Sequence, residues 1–196
     1  VSTGGPARVN VTPLTELAVR QLGLTAGDQG TSEVDLSALT PADVAAANTS
    51  VASQFGLSGG ALPELSADPV VDAQGSTATG NDYGSVLAAI SGMETGSTST
   101  SDVLTSLSAA GNFTALQKAT LIEGAERARE KLSSSGLTDT VATALKLPAS
   151  EAQAIRDART ALINYDGTGS TAAPTVANYT ALGIEGVNDL NLYAVN

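Results

Sequence analysis

The chain has 196 residues, a formal net charge of −11, and neither cysteine nor histidine. This composition excludes disulfides, thiolate or imidazole metal sites, and catalysis by a cysteine nucleophile or a histidine base. The acidic balance disfavours nucleic acid and anionic membranes as partners, because binding to both depends on Lys and Arg. We expect no cofactor, and no membrane insertion, since no apolar run reaches the roughly 18 residues of a membrane helix.

The N-terminal segment, 1–12, contains a short alternation of apolar residues at Ala7, Val9 and Val11. This alternation predicts either the last strand of a preceding β domain or an extended lead-in. Because the sequence starts at Val1 rather than Met, we expect it to be a piece of a longer protein.

Two Thr-Pro pairs, at 12–13 and 40–41, predict helix starts with Thr as the cap and Pro at the first helical position. Asp43 follows the second cap by three residues, where a carboxylate meets free backbone amides. Gly23 and Gly56 are the expected ends of these helices. The residues predicted to face inward are Leu14, Leu17, Ala18, Val44, Ala47, Val51 and Phe55.

A long irregular stretch, 57–81, separates these helices from the next ones. Loops of this length are often functional, and we expect it to form the main contact surface together with neighbouring helix ends. A helix is predicted over 82–93, with Tyr83 in its apolar face, and a capping-box pattern at 99–102 predicts another.

The longest helical pattern, 112–132, is the element around which the others are expected to pack. Asn112 is its predicted cap, and Glu123 precedes Arg127 by four residues, in the favourable order for a surface ion pair. The predicted apolar face consists of Phe113, Leu116, Leu121, Ala125, Ala128 and Leu132.

Four further helix starts are predicted downstream, at Thr138, at a capping-box pattern over 150–153, at Thr175 and at Asn188. A loop at 165–174 separates the second from the third. With 42% hydrophobic but only 3% aromatic residues, the core must be built from Ala, Leu, Val and Ile. We therefore predict an all-α fold, a compact multi-helix bundle of about eight or nine helices with at most a short N-terminal strand.

The last 18 residues, 179–196, resemble a short helical repeat with the pattern Y-A-A-A-G-V-T-G-V-x-x-x-N-L-A-A-V-N. This repeat occurs in tandem in large secreted adhesins and surface lipoproteins of Gram-negative bacteria. Tyr193 departs from the usual alanine. The segment 10–18 is similar to an N-(I/V)-(S/T)-P-L-T-T-L-A motif of the same proteins, which often follows Ig-like β-sandwich domains, and 39–48 and 68–69 look like segments that follow it. The matching positions of the repeat are Tyr179, Gly183, Gly186, Val187, Asn191, Leu192, Ala194, Val195 and Asn196.

The resemblance implies a non-catalytic structural or interaction module of a bacterial cell-surface or secreted multidomain protein. Its role would be adhesion, spacing or presentation of other domains. The implied partners are neighbouring domains of a larger chain and a host or matrix glycan or protein. The expected organisation is a lead-in at 1–12, a helical bundle at 13–166, and a helical-repeat unit at 175–196 that packs on the bundle or extends from it.

Calcium binding is the first alternative, because oxygen-rich stretches contain Asp68, Asp72, Asp82 and Asp166. Calcium takes six to eight oxygen ligands. Neither the stretch with Asp68, Asp72 and Asp82 nor the turn at Asp166 has the spacing of an EF-hand loop. Asp, Asn and Gly also adopt turn conformations without any ion. Both interpretations, a calcium- or small-ligand-binding module and simple turn chemistry, remain open at this point.

A carboxylate-based enzyme such as a glycosidase is the second alternative, since it needs two suitably spaced carboxylates. Glu123, Glu126 and Glu130 are the only dense acidic set on a predicted helix, and they alternate with Arg127, Arg129 and Lys131. This alternation favours a solvated, ion-paired helix face over a catalytic pair.

Overall fold

In the computed structural model, the residues described are 11–24, 39–57, 81–108, 111–133 and 136–196. These residues form nine α-helices and no strand, with one isolated bridge between Thr95 and Thr98, which confirms the predicted all-α bundle. The helices are α1 (Pro13–Gln21), α2 (Pro41–Gln54), α3 (Asp82–Met93), α4 (Thr100–Leu107), α5 (Ala115–Leu132), α6 (Leu137–Ala144), α7 (Ala149–Asn164), α8 (Val176–Ala181) and α9 (Leu192–Val195).

Two sequence predictions fall largely outside this part of the chain. The N-terminal strand was predicted from residues 7–11, of which only Val11 is described, and its side chain is exposed. The predicted contact loop at 57–81 is described only at its two ends. Among the described helices, none combines the length and apolar character needed to cross a membrane.

The centre of the bundle is the pair α3 and α5, which pack closely along their lengths. Gly92 of α3 and Gly124 of α5 face each other, and a Cβ added at either glycine would collide with the backbone of the other helix. Small side chains therefore let the two backbones approach, as expected for a core poor in aromatics. Nearly the whole circumference of α3 is buried as a result.

The remaining helices cover this pair from several sides. The helix α6 packs on both α3 and α5, α7 packs on α5, and α1 packs on α2, α3 and α4. Phe55 and Phe113 meet edge to face, with ring centroids 4.8 Å apart, and aliphatic side chains fill most of the rest of the core. Thr12 joins α1 to the centre, since its hydroxyl lies 2.9 Å from the hydroxyl of Tyr83.

The predicted helix starts at Thr12, Thr40, Ser99 and Thr175 are confirmed. Each of these side chains accepts a hydrogen bond from the backbone of the residue three positions on, whose own side chain accepts from the cap's backbone amide. This reciprocal capping box satisfies amides that the helix itself leaves free.

Four other predicted starts are wrong. The helix α5 begins after Thr114, because Gln117 completes a capping box with Thr114 and leaves Asn112 outside the helix. Thr138 lies within the first turn of α6, where it is buried and does not cap. The helix α7 begins immediately after Pro148, so 150–153 is already helical and forms no cap. The helix α9 begins after Asn191, and Asn188 instead accepts a hydrogen bond within the preceding turn.

Most predicted inward residues are buried, but Val44 and Leu116 are 42% and 52% exposed. Ala47, Val51 and Ala52 supply the inner face of α2, which turns Val44 outward. On α5, Ala119 and Ile122 are buried in addition to the predicted positions. Leu116 instead lies at the surface, beside the turn that follows α8.

Candidate functional site

The structure describes two of the four residues proposed as calcium ligands, Asp82 and Asp166, which lie at the start of α3 and after the end of α7. Asp68 and Asp72 lie outside the described residues, Asp82 is an exposed residue in the first turn of α3, and Asp166 lies in the loop after α7. Within the described part, no group of three or more acidic side chains is arranged to hold a metal ion. Calcium binding stays a prediction, which the melting temperature in calcium and in chelator tests, because a ligand of the folded state raises it.

Asp166 organises its own loop. Its Oδ1 accepts a hydrogen bond from the Thr168 backbone N–H at 3.0 Å, and its Oδ2 accepts one from the Ser170 hydroxyl at 2.6 Å. These hydrogen bonds, the one from Ser170 foremost, lower the pKa of the Asp166 carboxyl to about 2. The carboxylate is thus occupied by local donors, as expected for turn chemistry.

The acidic set on α5 is only partly the solvated face that the sequence predicts. Glu123 forms the expected ion pair with Arg127. Glu126, however, is only 7% exposed, and its Oε2 accepts a hydrogen bond from Arg129 Nε at 2.9 Å. Its burial follows from the packing of α6 and α7 beside it, since Glu126 lines a surface pocket together with Thr138 of α6 and Gln153 of α7, and the sequence alternation does not reveal this packing.

The segment 175–196, here named the C-terminal unit, is closed by hydrogen bonds between its two ends. Tyr179 is buried, and its hydroxyl donates to Asn196 Oδ1 at 2.6 Å. The Asn196 side-chain amide in turn donates to the Pro174 carbonyl at 2.8 Å. The first and last positions of the repeat-like pattern are therefore in contact.

Its central turns are fixed by backbone conformation and by one side chain. Gly183 and Gly186 have positive φ angles of 71° and 84°, a region that glycine adopts most readily. Asn191 Oδ1 accepts from the Asn188 backbone N–H, and its Nδ2 donates to the Gly186 carbonyl, both at 2.8 Å. The residues that carry the sequence resemblance thus hold this unit in shape.

The C-terminal unit packs on the bundle at two places. The helix α8 lies against α7. The turn at Gly183 approaches the first turn of α5 so closely that an added Cβ would lie 2.5 Å from both Cα and N of Leu116. The unit is therefore in direct backbone contact with the bundle.

Two large apolar side chains of the C-terminal unit are exposed rather than packed on the bundle. Leu190 and Tyr193, three positions apart in the chain, are each 97% exposed; these two residues are named the outer apolar face. Leu192 is a matching position of the repeat-like pattern, whereas Leu190 is not. The departure at Tyr193 from the alanine of the repeat is the one sequence signal that points to this surface.

A second surface feature is a cleft of about 230 Å³ between α5, α7 and the turn after α8, here named the α5–α7 cleft. Its walls are mainly aliphatic, and Glu123 and Arg159 supply its charged groups. The cleft is assembled from three distant parts of the sequence, which is why no sequence motif indicates it. The lining residues are Leu116, Ala119, Thr120, Glu123, Arg159, Leu162, Ile163, Leu182 and Ile184.

Comparison with known proteins identifies no relative of this fold. No protein family matches the chain, and no curated protein and no solved structure is significantly similar to it. The function must therefore be inferred from the residues and their geometry.

Proposed function

We propose that this chain is a non-catalytic structural module of a bacterial cell-surface or secreted multidomain protein, which spaces or presents neighbouring domains. The observation that carries the proposal is the outer apolar face, on which Leu190 and Tyr193 are 97% exposed. The occupant of that face is a following helical unit of the same kind as the C-terminal unit.

The energetics of repeat proteins support this occupant. A unit of two short helices cannot bury its apolar side chains alone, and stacking on a neighbour buries them. Burying a large apolar side chain contributes about 1.5–3 kcal/mol. Leu190 and Tyr193 together would therefore stabilise a stacked neighbour appreciably, whereas Tyr179 of the same unit is already buried.

The sequence resemblance supports the cell-surface or secreted setting. The same positions that match the adhesin repeat, among them Tyr179, Gly183, Asn191 and Asn196, make the internal contacts of the C-terminal unit. The net charge of −11 favours solubility and suits an exposed spacer. Binding of a host or matrix glycan or protein is a further role that such a module would combine with spacing.

An appended second unit tests the proposal. A chain carrying a second copy of 175–196 after Asn196 is expected to unfold at higher urea concentration than the original chain, because each stacked unit adds an interface. The matched control carries the same addition with Leu190→Ser and Tyr193→Ser in the first copy, and should gain nothing. An addition that leaves stability unchanged in both chains would contradict stacking on this face.

The cell-surface setting and the lack of catalysis need separate measurements. Antibodies against the folded chain should label intact cells that produce the parent protein, before any permeabilisation. Hydrolase turnover that disappears on substitution of one carboxylate would contradict the non-catalytic assignment.

A further inference from the structure

We infer that Asn112 is an acceptor for an N-linked sugar, which is attached to its side-chain amide in the turn before α5. The chain contains four Asn-x-Ser/Thr motifs, the acceptor motif of N-glycosylation, at Asn10, Asn48, Asn112 and Asn178. Asn10 lies outside the described residues, and the structure distinguishes between the other three. The inference goes beyond the spacing role but rests on the proposed cell-surface or secreted setting, because N-linked sugars occupy surface segments of secreted proteins.

The motif at 112–114 presents its two recognised side chains to solvent. Asn112 and Thr114 are exposed, whereas Phe113 between them is buried. The backbone of this segment is not helical, and Thr114 is extended, with φ −67° and ψ 166°. Alternation of exposed and buried side chains is typical of extended backbone, in which residues two positions apart point to the same side. A transferase can therefore contact the Asn112 amide and the Thr114 hydroxyl from one direction.

The other two described motifs lie inside helices. Asn48 and Ser50 belong to α2, and Asn178 and Thr180 belong to α8. Residues two positions apart on a helix do not face each other, so a transferase cannot contact both members of either motif at once. Both asparagines are also only partly exposed, and Asn178 Oδ1 accepts hydrogen bonds from the backbone N–H and the hydroxyl of Thr175. Among the described motifs, only the one before α5 meets the requirements of exposure and backbone geometry.

The turn is anchored on both sides of Asn112. On one side, Gln54 Nε2 donates a hydrogen bond to the Gly111 carbonyl at 2.5 Å. On the other side, the ring of Phe113 packs against Phe55 in the core. Neither anchor involves the exposed Asn112 side chain, so a sugar attached there would extend into solvent without displacing a packed group.

The Thr114 hydroxyl remains available to a transferase although it caps α5. Its oxygen accepts one hydrogen bond, from the Gln117 backbone N–H at 3.2 Å, and a hydroxyl has a donor hydrogen and a second lone pair besides. The reaction joins Asn112 Nδ2 to the anomeric carbon of a phosphate-activated sugar. The bond between that carbon and the phosphate oxygen breaks, the phosphate leaves with the electron pair, and one Nδ2 proton passes to a base of the transferase.

Mass spectrometry of the parent protein, purified from the cells that produce it, tests the inference. Cleavage after glutamate places the three described motifs in separate peptides, 34–64, 95–123 and 152–185. In most copies of the protein, the peptide 95–123 should carry the mass of one or more sugars, which fragmentation should locate at Asn112. The other two peptides should be unmodified. An unmodified Asn112, or a sugar on either of the other two peptides, would overturn the inference.

Substitutions at Thr114 separate the acceptor motif from the helix cap. Thr114→Ser keeps both the motif and the cap, and this variant should keep the sugar. Thr114→Asn keeps a favourable cap but destroys the motif, so this variant should fold with the urea midpoint of the unmodified chain and carry no sugar. Asn112→Gln, at an exposed position, should likewise fold and carry none. A sugar that persists at Asn112 in the Thr114→Asn variant would contradict recognition of the motif.

Antibody detection on the same intact cells and in their medium separates this inference from the proposed function. Detection of the protein there, together with an unmodified Asn112, would overturn the inference and leave the cell-surface or secreted setting in place. Failure to detect it would contradict the setting, whether or not Asn112 carries a sugar. Neither result bears on the appended-unit experiment, because that experiment concerns the outer apolar face.

Discussion

Replacing Gly183 by alanine tests whether the C-terminal unit is docked on the bundle. At a φ of +71°, any residue with a Cβ is strained by about 1–2 kcal/mol. The new Cβ would also lie 2.5 Å from two backbone atoms of Leu116, which cannot yield unless the first turn of α5 moves. Overpacking of this kind costs about 1–3 kcal/mol more.

Gly186 offers a matched control for that substitution. Its φ is +84°, and an added Cβ would meet nothing within 4 Å, so Gly186→Ala has the strain without the collision. The loss of chain entropy in the unfolded state is the same in both variants and cancels in the comparison. The difference between them therefore isolates the contact with α5, at about 1–3 kcal/mol.

Urea unfolding of the two variants and the original chain measures this difference, provided that the slopes of the transitions agree. We expect Gly183→Ala to lower the midpoint clearly more than Gly186→Ala. Equal midpoints for the two variants would refute the reasoning, because they would mean that the turn at Gly183 does not contact α5 in solution.

Three further substitutions probe single groups. Tyr179→Phe should lower the free energy of unfolding by about 1 kcal/mol through loss of one hydrogen bond. Tyr193→Phe, the control at an exposed ring, should leave it unchanged. Equal effects of the two substitutions would contradict the hydrogen bonds that close the C-terminal unit. Thr138→Val should raise the free energy of unfolding by about 1 kcal/mol, because the buried Thr138 hydroxyl has no hydrogen-bond partner. Thr143→Val, the control, removes a 2.8 Å hydrogen bond and should not stabilise the chain. Destabilisation by Thr138→Val would reveal that the hydroxyl has a hydrogen-bond partner. Because the pKa of Asp166 falls from 3.8 to about 2 on folding, its contribution is present above pH 3.8 and is lost as the pH falls through about 2. In urea unfolding at a series of pH values, Asp166→Asn should not show this loss of stability. Identical acid profiles for the variant and the original chain would exclude the contribution of Asp166.

Local features of the fold were predictable from the sequence. The Thr-Pro pairs that predicted the starts at Thr12 and Thr40, and the capping-box pattern that predicted the start at Ser99, each involve residues within one helical turn, so these starts could be identified without any tertiary information. Prediction from a single capping residue failed where two candidate caps competed. Asn112 was a plausible cap, but Gln117 stands at the right distance from Thr114, and this pair determines where α5 begins.

Contacts between distant segments were not predictable in this way. Apolar periodicity placed Leu116 in the core, and the alternation of charges placed Glu126 on a solvated face, but the structure exposes the first and buries the second. Both outcomes depend on which helices pack beside α5, and a single helix pattern carries no information about its neighbours. The α5–α7 cleft escaped the sequence for the same reason, since it needs the turn after α8 to lie against α5 and α7.

The central claim, that the outer apolar face stacks on a following unit, is tested most directly at the side chain of Tyr193. Hydroxyl-radical footprinting would compare its reactivity in the original chain and in the chain with the appended second unit. The proposal predicts high reactivity in the original chain, where Tyr193 is 97% exposed, and strong protection once the second unit is present. Unchanged reactivity in the extended chain would contradict the claim.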